Sequence, residues 1–353
     1  MLNVIERLDS KRFSPAVAVL RKGGNLDTEV EKLGIPLIEA PFVIPVKPHA
    51  SLFLRAKKTA DLFRPYHFAL WHSFHYSDDY TEALIARLAG IKAWIYTKKN
   101  MGWGSRAWKL RSCLASAIPC QNKDMLVRFF SSSLFSQKAR HISPGVDVTV
   151  FHPGAKPVLD LRAHLSMTKE EIIIACVAEL VPVKGHPDLL KAIAEIPNVH
   201  LLLAGRPSDG TYSQGLAHQA SQLGISPRTH FLGRVENIPA LLAESDIFLL
   251  PTIGKGEGCA IALLEAMACA KACIATNVPG SRDVIQHGKN GLLAEPENPS
   301  SLANAIQQLV WNSQLRLALG QSAREDVESK YTIQREVDDY VHLYDELIGV
   351  ASA

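Results

Sequence analysis

The sequence predicts an α/β protein made of two doubly wound domains, each a parallel sheet with helices on its faces. Three observations lead there. Apolar runs of strand length alternate with helix-length segments along the whole chain. At 353 residues the chain has the length of two domains of roughly 150 to 180 residues. SPGVDVTVFHPGAKP, residues 143 to 157, has the Pro and Gly density of a junction. The predicted organisation is therefore a first domain over residues 1–150, a second over 151–330, and a C-terminal helical segment over 331–353. Val337, Val341, Tyr344 and Leu347 share one face of that last segment, which is expected to cross back onto the first domain.

Taken in order, the elements are as follows. LNVIERL at the start reads as the end of a helix, with Leu2, Ile5 and Leu8 on one face. A doubly wound domain normally opens on a strand and its ligand-binding turn, so a late start that omits the first strand is the expectation. Strands are predicted at Ala16–Leu20, Leu37–Ala40, Phe68–Trp71, Ala93–Tyr96 and Arg140–Ser143. The second half is more regular, with strands at Ile172–Ala178, Val199–Ala204, His230–Leu232, Ile247–Leu250, Ala272–Ala275 and Gly291–Ala294. No repeat at a solenoid period and no low-complexity tract interrupts the pattern.

Composition excludes several classes. Hydrophobic content of 47% with 21% charge is that of a soluble globular protein, and no apolar run approaches the roughly 18 residues of a membrane span. The start lacks the parts of a secretory signal, so the cytoplasm is the expected compartment. Six cysteines form no CxxC pair and fit no zinc spacing, which predicts reduced thiols. Charge is uneven: residues 1–150 hold 22 Lys and Arg against 12 Asp and Glu, whereas the remainder holds 16 against 23. The excess is densest in KKNMGWGSRAWKLR, residues 98 to 111, with five basic residues, two tryptophans and no acid. Such a segment suits an anionic membrane surface or an anionic acceptor. No nucleic-acid-binding module accompanies it, so nucleic acid is not an expected partner.

The segment richest in chemistry is GKGEGCAIALLEAMACA, residues 254 to 270. It follows an apolar strand and carries Gly254, Gly256 and Gly258 into a helix start, the order that offers free backbone amides to an anion. Glu265 is the only charge in the apolar run from Cys259 to Ala270, and a buried carboxylate needs partners. Glu257 stands at the helix mouth. The spacing of the two acids is about 12 Å along a helix axis, a span suited to a sugar at one end and a ribose at the other.

With Glu257, seven residues, Glu265, then LLEAMAC and ATNVPGSRDVIQHGKNGLLAEPENPSSLANAI, the chain resembles family 4 glycosyltransferases of the GT-B fold. The likeness runs from Glu171 to about Leu309, through VPVKGHPDLLKAI, LLLAGR and THFLGRVENIPALLAESDIFLLPT, and includes the ISPGVDVTVFHP junction. The first half is similar more loosely, through LRKGG, EKLGIPL, ARLAGIKAWIYTKKN and CQNKDM. The resemblance implies two Rossmann-like domains facing a cleft, with a nucleotide sugar held by the second and the acceptor by the first. It implies that Glu257 contacts the donor sugar and Glu265 the ribose hydroxyls, with backbone near Val235 beside the base and Arg206 lining the same pocket. Lys184 in VPVKGH and the amides of Gly258, Cys259, Ala260 and Ile261 would meet the diphosphate, whose charge grows as it leaves. On the acceptor side the corresponding segment is Lys98, Lys99 and Asn100, where the family often carries a His. His72, at the end of another strand, is a further candidate to reach the cleft as a catalytic group. Retention of anomeric configuration without a metal is implied. The chain has no DxD triplet and no clustered His or Cys ligand set, and no cofactor is expected.

Two departures stand out. Glu179 occupies the place where the family usually carries an Arg before the phosphate-loop Lys, and Cys259–Ala260 replaces a Phe–Gly pair. The expected function is transfer of a hexose or hexosamine from a UDP- or GDP-sugar to a surface glycan or lipid-linked acceptor, with peripheral contact to an anionic membrane. Alternatives are a non-catalytic nucleotide- or glycan-binding relative and a sugar-nucleotide epimerase of similar architecture.

Overall fold

The short apolar runs of the first half become three parallel strand pairs. In the computed structural model, which describes residues 1–157, 161–165, 167–168, 170–207, 210–254 and 258–349, β1 (Val17–Val19) pairs with β2 (Leu37–Glu39). Likewise β3 (Leu70–Ser73) pairs with β4 (Ala93–Tyr96), and β5 (Ile118–Cys120) with β6 (Ala139–His141). Bridges from Ile95 to Ala117 and from Lys98 to Cys120 join β4 to β5. The reading of the sequence missed β5, because Pro119 in its middle removes a ladder donor and argues against a strand. Its carbonyl still serves the ladder, accepting from the Lys98 amide at 2.7 Å.

By internal contacts the chain divides into two units, Met1–Ser143 with Ile333–Ala353, and Pro144–Thr332. Within the first, the helix Ile333–Ile348 packs Val337, Tyr340, Leu343 and Tyr344 against Val4, Ile95, Ala117 and Ile142. Val341 and Leu347 sit at the margin of this cluster. The opening helix Leu2–Ile5 buries Val4, while Leu2 and Ile5 stay half-buried, so the inward face is turned slightly from the predicted one.

The second unit is one six-stranded parallel sheet: β7 (Ile172–Val177), β8 (Val199–Ala204), β9 (Thr229–Gly233), β10 (Ile247–Leu250), β11 (Ala272–Thr276) and β12 (Leu292–Ala294). The spatial order is β12-β11-β10-β7-β8-β9. Ile174, Leu202, Leu249 and Ile274 are fully buried, as expected of parallel strands covered on both faces. The chain winds outward from β7 in one direction and then from β10 in the other. The order therefore reverses between β7 and β10, and the carboxyl ends of those two strands flank the crevice where such sheets bind ligands. Among the described residues no helix is long and apolar enough to cross a membrane.

Candidate functional site

The loops at that crevice are locked by backbone contact. After β7, Pro182–Lys184 form one 3-10 turn and Gly185 adopts φ 68°. A Cβ on Gly185 would lie 2.0 Å from the Pro251 carbonyl oxygen, just beyond β10, so only glycine fits there. The Ile253 amide donates to the Val183 carbonyl at 3.0 Å, tying the two loops together beside Lys184. Further along the same edge, Gly205 sits so close to Ala178 that a Cβ would fall 1.8 Å from its carbonyl oxygen. The Arg206 carbonyl accepts from the Leu180 amide at 3.0 Å, which leaves the Arg206 side chain exposed at the end of β8. Val235, half-buried two residues past β9, leads into a helix capped by Asn237. Lys184, Arg206 and Val235 are thus brought to one carboxyl edge.

The helix Ile261–Ala268 starts at this edge with Ala260 as its N-cap. Gly258 and Ala260 are buried, Cys259 is half-buried and Ile261 is exposed. Amides of the first turn have no intrahelical acceptor and carry the positive end of the helix dipole. Leu263, Leu264, Ala266, Met267 and Ala268 are packed inside, and Glu265 is half-buried between them. Burial pushes its carboxyl up to about 7, and among the described residues no cation or hydrogen bond offsets that shift. Hydroxyl donors brought to such a carboxyl would favour its ionised form. Glu257 lies outside the described residues. Among the described residues no group of three His, Cys, Asp or Glu is placed to hold a metal.

The first unit corrects one expectation. His72 is not a free catalytic group: its ring nitrogens pair with the Tyr344 hydroxyl and Thr97 Oγ1, each at 2.7 Å. Burial, reinforced by the Lys99 charge, holds its pKa well below the ordinary value, so it is a neutral link between β3 and the C-terminal helix. The basic segment 98–111 is only partly exposed. Arg111 is fully buried, donating to Glu82 at 3.1 Å and to Ser73 Oγ at 3.0 Å, with its guanidinium 4.8 and 4.7 Å from the Trp94 and Tyr96 ring centres. Lys98 is buried as well. Its ammonium rests 3.7 Å from the Trp103 ring centre and donates to Asn100 Oδ1 and, at 2.5 Å, to the Gly102 carbonyl. Burial pushes its pKa down to about 8. Lys99 is half-buried near Phe74, and burial lowers its pKa too. Only Arg106 and Lys109 of the five cations are exposed. Lys98, Lys99 and Asn100 nevertheless line a cavity of about 370 Å³, together with Tyr76, Asp78 and Trp103.

Comparison with known proteins places the second unit. Residues 159–326 match the family described as glycosyl transferases group 1. N-acetyl-alpha-D-glucosaminyl L-malate synthase of Bacillus anthracis is 30% identical over 233 residues, 63% of this chain and 60% of that one. The GDP-mannose-dependent alpha-(1-6)-phosphatidylinositol monomannoside mannosyltransferase of Mycobacterium tuberculosis is 28% identical over 61% of this chain and 58% of its own. The chain thus spans about 60% of the length of these curated relatives. A solved Anabaena protein, in complex with UDP and glucose, superposes over 98% of this chain and 94% of its own with a TM-score of 0.81 at 20% identity. That likeness establishes the fold alone: GT-B, with two Rossmann-like α/β units. The crevice between β7 and β10 lies within the matched residues, as do Lys184, Glu265 and the start of helix Ile261–Ala268.

Proposed function

We propose that the protein is a retaining glycosyltransferase of family 4. It takes a hexose or hexosamine from a UDP- or GDP-sugar and passes it to a glycan or lipid-linked acceptor at the cytoplasmic face of a membrane. The observation that carries this reading is the Glu265 carboxyl, which has no cation or hydrogen-bond partner among the described residues, one turn behind the start of helix Ile261–Ala268 on the sheet edge that holds Lys184. Ribose hydroxyls donating to Glu265 would relieve the burial that raises its pKa, while the amides and Lys184 meet the diphosphate. Glu257 then orients the sugar, Arg206 and the backbone at Val235 border the base, and Lys98, Lys99 and Asn100 border the acceptor. With no metal invoked, the departing phosphate takes the acceptor proton on the face it vacates. The mannosyltransferase relative supports a nucleotide-sugar donor by its printed name.

One feature supports a second reading. Glu179 is exposed on the β7 loop where the family resemblance expects an Arg, which favours a relative that binds nucleotide without turnover. Incubation with UDP- and GDP-sugars, with and without membrane lipid extract, separates the readings through nucleoside diphosphate release measured by mass spectrometry. Acceptor-dependent release is expected. Glu257→Gln should lower it at least about a hundredfold, the scale of losing one positioned electrostatic group, with unchanged circular dichroism. Nucleotide binding without release would sink the transferase reading, and acceptor-free isomerisation would point to an epimerase.

A further inference from the structure

The helix Leu52–Ala60 has an ordinary inward face and an unusual outward one. Ala56, Thr59 and Ala60 are buried, continued by Phe63, at the i, i+3, i+4, i+7 spacing of a core stripe. On the other side Phe53 is 57% exposed and Leu54 68%, two adjacent large apolar side chains turned to solvent. Lys57 and Lys58 follow them one turn on and are also exposed, as are Lys47 and His49 just before the helix. No acid occurs from residue 40 to residue 60; Glu39 and Asp61 bound the stretch, and Asp61 is paired with Arg64 at 2.6 Å.

This face is held in shape. Arg55 donates to the Pro45 carbonyl at 2.6 Å, to the Pro48 carbonyl at 2.9 Å and to Ser51 Oγ at 3.2 Å. The guanidinium thus binds the loop 45–51 to the helix that presents Phe53 and Leu54. Apolar side chains ringed by uncompensated cations on an ordered helix complement a surface that is apolar below and anionic above. The basic segment 98–111 cannot supply such a surface, because three of its five cations are drawn inward.

We propose that Phe53 and Leu54 insert as a wedge into an anionic bilayer surface, with Lys47, Lys57 and Lys58 on its headgroups. The docking deepens the reading of a membrane-held acceptor and rests on that reading only for its purpose, because vesicle binding is measured without donor or acceptor. Loss of transfer activity and loss of vesicle binding therefore stay distinguishable. The purified full chain is sedimented with phosphatidylcholine vesicles that contain or lack phosphatidylglycerol, at low and high salt. Partition should favour the anionic vesicles by more than about tenfold and fall as salt rises. Lys57→Glu with Lys58→Glu should abolish it, and Phe53→Ser with Leu54→Ser should cut it roughly tenfold, with circular dichroism and nucleotide binding unchanged. Reversing Arg106 and Lys109 to Glu should leave it as it was. Equal partition to both vesicle types, wild-type binding in either helix variant, or loss on reversing Arg106 and Lys109 would each overturn the proposal. So would a vesicle-free dimer that the Phe53→Ser, Leu54→Ser variant dissolves, since the face would then belong to a second copy of the chain.

Discussion

Glu82 in the first unit and Glu265 in the second are both acids set among apolar neighbours, yet their surroundings differ. Glu82 is answered on every side: Arg111 and Ser73 Oγ donate to one oxygen, and Trp71 Nε1 donates to the other at 3.0 Å. Glu265 has burial and, among the described residues, nothing to offset it. A fully partnered buried ion is part of the packing, whereas a buried acid with no partner among the described residues is open to one from outside. The difference separates a charge satisfied by packing from one with no partner among the described residues.

Breaking the partnered site should have the largest effect. Arg111→Met leaves the Glu82 carboxylate uncompensated beside Trp94 and Tyr96, at a cost of about 3–5 kcal/mol. Adding Glu82→Gln removes the orphaned charge and keeps an acceptor for Trp71, so the double variant should regain most of that loss. Urea denaturation followed by tryptophan fluorescence reads both. Equal destabilisation of the single and double variants would show that the pair is not coupled.

The solitary acid gives a pH dependence instead. The folded Glu265 carboxyl keeps its proton up to about 7, whereas the unfolded one loses it near its ordinary value of 4.5. Between those values the folded chain binds more protons, so stability is lost as pH rises, and above 7 the loss is complete. Glu265→Gln lacks this penalty. Its advantage over the wild type should grow from near zero at pH 4.5 to about 3 kcal/mol at pH 8. Saturating nucleotide should narrow that gap, since ribose hydroxyls would partner the ionised form. A gap that ignores pH, or that nucleotide leaves unchanged, would remove Glu265 from the site.

The same contrast explains what could be read from the chain. Parallel strands buried on both faces are continuous apolar runs, so β8 and β10 emerge with their exact bounds and the other strands of the second unit within a residue or so. Glu265 stood out because its run is otherwise apolar. The order of the strands, and with it the switch point between β7 and β10, is set by long-range pairing that no local pattern records. In the first unit the misleading residues were charged. Arg111 and Glu82 are 29 positions apart, so nothing near either one announces the partner, and a cation without a local acid reads as solvated. His72 failed for a similar reason, since its partner Tyr344 lies 272 positions away.

Helix caps sharpen the comparison at the smallest scale, because each unit uses an asparagine for the same hydrogen bond in a different setting. Asn122 Oδ1 accepts from the Met125 amide at 2.9 Å and the residue is fully buried, with Nδ2 directed at Met101 Sδ at 3.4 Å. Asn237 Oδ1 accepts from the Ala240 amide at 3.1 Å, but Asn237 is exposed, so water can replace its side chain. Truncation to Ala should therefore cost about 2 kcal/mol at Asn122 and about 0.5–1 kcal/mol at Asn237, the upper and lower parts of the range for such caps. Paired denaturation curves for the two variants test this. Equal costs would mean that the polar interior of the first unit adds nothing to a cap, and that the contrast between the units stops at their ionised groups.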